Sequence, residues 1–134
     1  MIVHDLSADV IARLIRTDLS IVDDEPDSPI GDFEFNRCTG GIGCFIGRPP
    51  WECHTDGDEL LLVLSGTTQL TIVDDIVPTS QTSRWIHPGE LVVIQRARWH
   101  NNNAPGGVTL LHLTPTHGNE HSWERPAFTT STPR

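Results

Sequence analysis

The sequence contains no lysine and no tyrosine, a single methionine and three cysteines. All nine basic residues are arginine, and eighteen acids oppose them, giving a formal charge of −9. A chain this acidic cannot neutralise a polyanion, which excludes general binding to a nucleic-acid backbone. No run approaches the ~20 apolar residues of a membrane helix, so no membrane partner is expected. The opening residues, MIVHDLSADV, lack the basic segment and apolar stretch of a secretory signal. An odd and small cysteine count provides no disulfide framework. These absences predict a soluble cytoplasmic domain. Its 134 residues suit one domain with a real core.

What is present begins with a short helix. Ser7 can cap it and Asp9 suits its first turn, while Val10, Ile11, Leu14 and Ile15 form one stripe at helical spacing. The segment DDEPDSP at 23–29 reads as a loop. Residues 1–34 hold nine acids against Arg13 and Arg16, most of the net charge, and read as a solvated face.

From residue 33 the pattern becomes strands: FEFNRC, GCFIG, WECH, ELLLVLS, TTQLTIV, SRWIH, ELVVIQ and VTLLHL. Gly, Pro, Asp or Asn punctuates them, as at Asn101 to Gly107. Many short strands at close spacing predict an antiparallel sandwich or barrel. In LLLVL, at 60–64, both strand faces are apolar. One faces the barrel interior. The other needs the N-terminal helix, a second sheet or another subunit. The stretch from 115 to 134 is poor in aliphatics and rich in Thr, Ser and Pro, a free end or an arm lying on a surface or partner. The expected division is 1–32 helix and acidic loop, 33–115 barrel and 116–134 C-terminal arm, all one domain.

Of the seven histidines, two belong to a candidate constellation of Glu52, His54, Glu59 and His100. Glu52 and His54 are two apart, so on a strand they share a face. TDGD at 55–58 is a turn, after which Glu59 can swing back beside them. A facing strand can bring His100 to the same point. Two imidazoles and two carboxylates make a mixed N/O donor set for Fe(II), Mn(II), Ni(II) or Zn(II). A bland reading pairs Glu52 with Arg48, Arg96 or Arg98 and leaves His54 as a satisfied pocket histidine.

Along GRPPWECHTDGDELLLVLSG, the residues Gly47, Glu52, His54, Glu59 and Gly66 lie in the frame of the first cupin motif. In GELVVIQRARWHNNNA, Gly89 and His100 lie in the frame of the second. Over residues 33–115 the sequence therefore resembles a small single-domain cupin. The resemblance implies an all-β jelly-roll barrel with a short N-terminal helix, and a homodimer. The first motif departs from the family, with Glu-x-His in place of His-x-His. Two registers are open: Glu52 and His54 inward, or Cys53 and Thr55 inward. The first is preferred because a cation would satisfy the buried Glu52 and His54. The second motif lacks its Pro and Gly, with Gln95 and Ala97 there, and Ala104 replaces Asn.

The expected function is a metal-dependent enzyme on a small molecule, dioxygenase-like because open metal positions can take substrate and O₂. Metal-dependent isomerase or lyase chemistry, and a non-catalytic sugar- or effector-binding module, are the alternatives. Arg96, Arg98 and His112 are the candidate substrate contacts: the arginines either hold an anion beside His100 or only oppose the acidic face, and His112 is a pocket residue or a core histidine. Trp51, Trp85 and Trp99 line a pocket or pack the core. His117 to His121 spells H-x-x-E-H, but Gly118 and Pro115 oppose the helix that motif needs. His4 and His87 read as surface or loop residues. Cys38 and Cys44 either oppose each other across a hairpin or sit in isolation.

Overall fold

The β-branched stretches and their turn residues fold as nine strands among the described residues, which in this computed structural model are 1–14, 32–74 and 80–126. The strands are β1 (Phe33–Phe35), β2 (Cys38–Gly47), β3 (Trp51–His54), β4 (Glu59–Gly66) and β5 (Thr68–Val73). They continue with β6 (Gln81–Ile86), β7 (Leu91–Ile94), β8 (His100–Pro115) and β9 (Asn119–Ser122). The acidic loop at 23–29, the residues Ile15 and Arg16, and the chain from 127 onward lie outside the described residues, as do the side chains of 12–14.

All pairings are antiparallel. One sheet runs β1-β2-β8-β4-β7 and the other β9-β3-β8-β5-β6. β8 belongs to both, so the sheet curls on itself into a barrel, as the strand pattern allows, and it is the jelly roll that the cupin resemblance implies. Residues 101–107, expected to be a connection, are therefore part of a strand. Asn101, Asn102 and Asn103 sit opposite Thr71, Leu70 and Gln69, and this pairing overrides their poor strand propensity. Asn102 accepts a hydrogen bond from the Thr68 hydroxyl at 3.1 Å, and Asn101 donates to the Pro49 carbonyl at 2.7 Å. Beyond Ala104 the strand crosses to the other sheet. Gly107 takes a φ of 90° there, and β2 shifts register between Phe45 and Gly47.

The interior between the sheets is filled by Leu61, Val63, Leu70, Ile86, Ile94, Ala104, Val108 and Leu110. Each fully buried aliphatic contributes about 1.5–3 kcal/mol. The helix α1 (Ala8–Leu14) begins at Ser7, whose carbonyl accepts from the Ile11 N–H at 2.9 Å. Its Val10 and Ile11 pack on the outer face of the barrel against Ile42, Cys44, Leu64 and Leu111. That accounts for one end of the doubly apolar strand. At the other end Leu60 and Leu62 are half-buried beside the exposed Leu91 and Val93.

One local detail differs from expectation and settles another left open. The turn in FEFNRC falls at Asn36 and Arg37, with φ of 47° and 64°, so Phe35 faces Cys38 across a two-residue loop. Cys38 and Cys44 then lie along one strand, β2, rather than across a hairpin, and neither is in a disulfide. Of the glycines of TGGIG, Gly40 is closely crowded by its neighbours. A Cβ on Gly40 would meet the Phe33 ring at 2.4 Å.

Candidate metal centre

Three strands carry the four residues singled out above. Alternation along β3 sends Glu52 and His54 to one face and Cys53 to the other. The Glu-x-His register is the one adopted. The turn after His54 lets Glu59 open β4, and His100 opens β8 directly opposite Glu52. His54 Nε2 lies 3.2 Å from Glu59 Oε2 and 3.7 Å from Glu52 Oε2. His100 Nε2 lies 3.2 Å from Glu59 Oε1 and 3.6 Å from Glu52 Oε2. One potential ligand atom from each residue falls within 4.8 Å of the others, so the cluster can bind a metal ion. His54, Glu59 and His100 are buried, while Glu52 keeps 26% of its side chain exposed.

The outer edge of each imidazole is anchored. His54 Nδ1 donates to Asn119 Oδ1 at 2.8 Å, and His100 Nδ1 donates to the Arg98 carbonyl at 3.0 Å. Both bonds put the Nε2 lone pair of a neutral ring toward the cluster, the arrangement found around metal-ligating histidines. Glu59 Oε2 also accepts from the Thr114 hydroxyl at 2.6 Å, which in turn accepts from His112 Nδ1 at 2.8 Å. The turn leading to His100 places Ala97 at a φ of 65° despite the missing glycine. Its N–H donates to the His54 carbonyl at 2.8 Å and ties the two histidine segments together.

The electrostatics of the cluster follow from this proximity. Burial works against charge on every member, and the hydrogen-bonded partners outweigh it. Glu59 is pulled down to about 2, against burial, by His100 and His54. Glu52 is held far below the carboxylate range, against burial, by His100, His121 and His54. His54 is pushed up to about 10 and His100 to about 9, again against burial, by Glu52 and Glu59.

A divalent cation fits this donor set. His54 Nε2 is buried and has no hydrogen-bond partner, although two carboxylates flank it. Once that nitrogen gives up its proton, its lone pair faces the cluster and is open to a cation. Two carboxylates would cancel the charge of the cation, and two imidazoles would complete a mixed N/O shell.

The cluster forms the floor of a cavity of about 270 Å³. Leu61, Leu110, Pro49 and Pro50 supply apolar wall, and His112 is among the lining residues. Arg96 and Arg98 are not. Arg96 lines a separate open groove with Asp56 and Asp58, and its N–H bonds Asp58 Oδ1 at 2.8 Å. Arg98 contributes its carbonyl to His100 rather than its guanidinium to the cavity. The left-handed Ala97 between them turns the chain here, and extended alternation does not apply. Trp51, Trp85 and Trp99 are likewise absent from the lining. His87 is exposed and bonds Glu90, while His4 lies against the Phe33 ring at 5.0 Å.

Two residues that the sequence did not single out for this site do line it. β9 pairs with β3 so that Asn119 faces His54 and His121 faces Glu52. Besides the Asn119 bond, His121 Nε2 lies 3.3 Å from Glu52 Oε1. The H-x-x-E-H string is thus not on a helix, and its last histidine enters the cavity from a strand. The available signal was the alternation of Asn119 and His121, masked by the polar composition around them.

This architecture is the cupin fold: an antiparallel jelly-roll barrel whose mouth holds a His/Glu cluster. Among solved structures it resembles a cupin-2 domain protein from Shewanella frigidimarina, with a TM-score of 0.59 and 20% identity, covering 82% of this chain and 93% of that one. An oxalate oxidase bound to glycolate is similar with a TM-score of 0.53 and 19% identity, over 61% of this chain and 44% of that chain. An oxalate decarboxylase mutant from Bacillus subtilis matches with a TM-score of 0.55 and 10% identity, over 63% of this chain and 24% of that chain. No protein-family model and no curated protein matches the sequence.

Proposed function

We propose that the chain is a divalent-metal-dependent cupin that oxidises a small molecule with O₂. The observation that carries this reading is the convergence of the buried His54 Nε2 on two carboxylates, at 3.2 and 3.7 Å, while its Nδ1 is anchored to Asn119. A bound metal would supply Lewis acidity and open positions for a substrate oxygen and O₂. The chain's own residues have distinct tasks. His54, Glu59 and His100 form the closed side of the site. Glu52, partly exposed, stands at the open side. The His112–Thr114 relay holds Glu59 in place. Leu61 and Leu110 keep part of the wall dry. Two fold neighbours named for oxidation and decarboxylation of oxalate support small-molecule chemistry on such a barrel.

The same proposal includes a cytoplasmic homodimer. Three cysteines with no disulfide among them suit a reducing compartment, and the exposed Leu91 and Val93 beside half-buried Leu60 and Leu62 suit a subunit contact. The test of the metal site is elemental analysis of protein purified without an affinity tag. Wild type is expected to carry one metal and His100→Ala much less; equally low content in both refutes the site. O₂ consumption by Fe(II)-loaded protein is then measured against catechols, flavonols, thiols and diketones. Metal binding without O₂ uptake on any of them overturns the oxidase reading.

A further inference from the structure

The lining of the cavity contains no guanidinium among the described residues, and the chain has no lysine at all. Its polar groups besides the cluster include Thr39, Asn101, Asn102, Thr114, Thr116 and Asn119, with His112 in the wall and His121 at the rim. Arg96 and Arg98, candidate anion contacts in the sequence, are not among its lining residues. The charge count of the proposed centre leads the same way. A divalent cation is fully cancelled by Glu52 and Glu59, and neutral imidazoles add nothing. The filled site therefore presents no net positive charge, inside a chain whose formal charge is −9. A carboxylate entering this cavity would lose hydration and, among the described residues, find no guanidinium or ammonium to replace it.

We propose that the pocket takes a small uncharged molecule that offers hydroxyl or carbonyl oxygens to the metal, and that it discriminates against carboxylates. Size acts in the same direction. At about 270 Å³ the cavity lies just below the range of roughly 300–1,000 Å³ that holds drug-sized ligands. Amides and hydroxyls around the wall can donate to and accept from such oxygens without any change in charge. This inference rests on the metal reading above.

The test separates chelation from the charge of the rest of the ligand. Zinc-loaded full-length protein is titrated calorimetrically with 4-methylcatechol, 3,4-dihydroxybenzoate and dopamine. These share a chelating head and carry a neutral, anionic and cationic tail. The benzoate is expected to bind at least about tenfold more weakly than the other two. Equal or tighter binding of the benzoate, or binding of none of the three, overturns the proposal. Zinc content is measured on the same sample, so a failure to hold zinc is recognised as failure of the metal site itself. Thr116→Arg, which places a cation at the exposed rim, is expected to close most of the gap between benzoate and methylcatechol. An unchanged gap overturns the claim that the missing cation sets the preference.

Discussion

Metal uptake by this site should expel two protons. In the metal-free cluster His54 is pushed up to about 10 and His100 to about 9, so both rings are imidazolium at neutral pH. Each Nδ1 is committed outward, to Asn119 and to the Arg98 carbonyl, so the proton that must leave is the one on Nε2. The carboxylates carry no proton to release, because Glu59 is held near 2 and Glu52 lower still. Below pH 9 the logarithm of the affinity should therefore rise by about two per pH unit, then by about one up to pH 10. Calorimetric titration of Zn²⁺ at pH 7.5, in buffers of different ionisation enthalpy, reads the proton number as a slope. A slope near two is expected. A slope near zero would mean neutral rings before binding and would refute the coupled cluster. The same shifts fix the stability of the metal-free protein. The raised histidines stabilise fully below their ordinary 6.5, and that contribution fades as pH rises through 9 and 10. The depressed carboxylates stabilise above 4.5, and that contribution fades as pH falls toward 2. Bound metal keeps the rings neutral and escapes the alkaline loss. The gap in melting temperature between metal-bound and metal-free protein should widen from pH 6.5 to 9.

Three substitutions test the frame around the site. Asn119→Ala removes the acceptor that fixes the His54 tautomer and should weaken metal affinity by about 10–100-fold, while Asn119→Asp retains it, as read by chelator competition. Ala97→Gly relieves a left-handed alanine costing about 1–2 kcal/mol and adds about 0.5–1 kcal/mol of chain entropy to the unfolded state; urea melts should show a net gain below about 1 kcal/mol. Gly66→Ala should lose at least about 2 kcal/mol, because φ is 73° and the new Cβ would lie 2.2 Å from the Gly107 carbonyl oxygen.

The parts of the fold and site legible in the sequence are those set by short-range rules. Glu52 and His54 share a face because a strand has a period of two, and TDGD forces the reversal that returns Glu59. Leu61 and Val63 enter the core while Leu60 and Leu62 face outward, again by alternation. Illegible were the features decided by a partner distant in sequence. Asn101 to Asn103 form a strand only because Gln69 to Thr71 lie beside them. Arg96 and Arg98 miss the cavity because Ala97 is left-handed, a conformation its side chain disfavours and its bond to the His54 carbonyl enforces.

β9 is the sharpest case of that second kind, and it changes what the C-terminal segment is for. Asn119 to Ser122 contain no β-branched residue and no apolar alternation. Their extended form depends on the free edge of β3, whose other neighbour is β8. The pairing is antiparallel and in register, so the residues opposite Glu52 and His54 necessarily share their face. A polar strand is favourable there because its side chains meet a carboxylate and an imidazole rather than a hydrophobic core. The sequence Asn-x-His is thus complementary to Glu-x-His: an amide acceptor for an imidazole N–H, and an imidazole for a carboxylate. Two strands far apart in the chain supply facing halves of one polar site, and neither half is interpretable without the other.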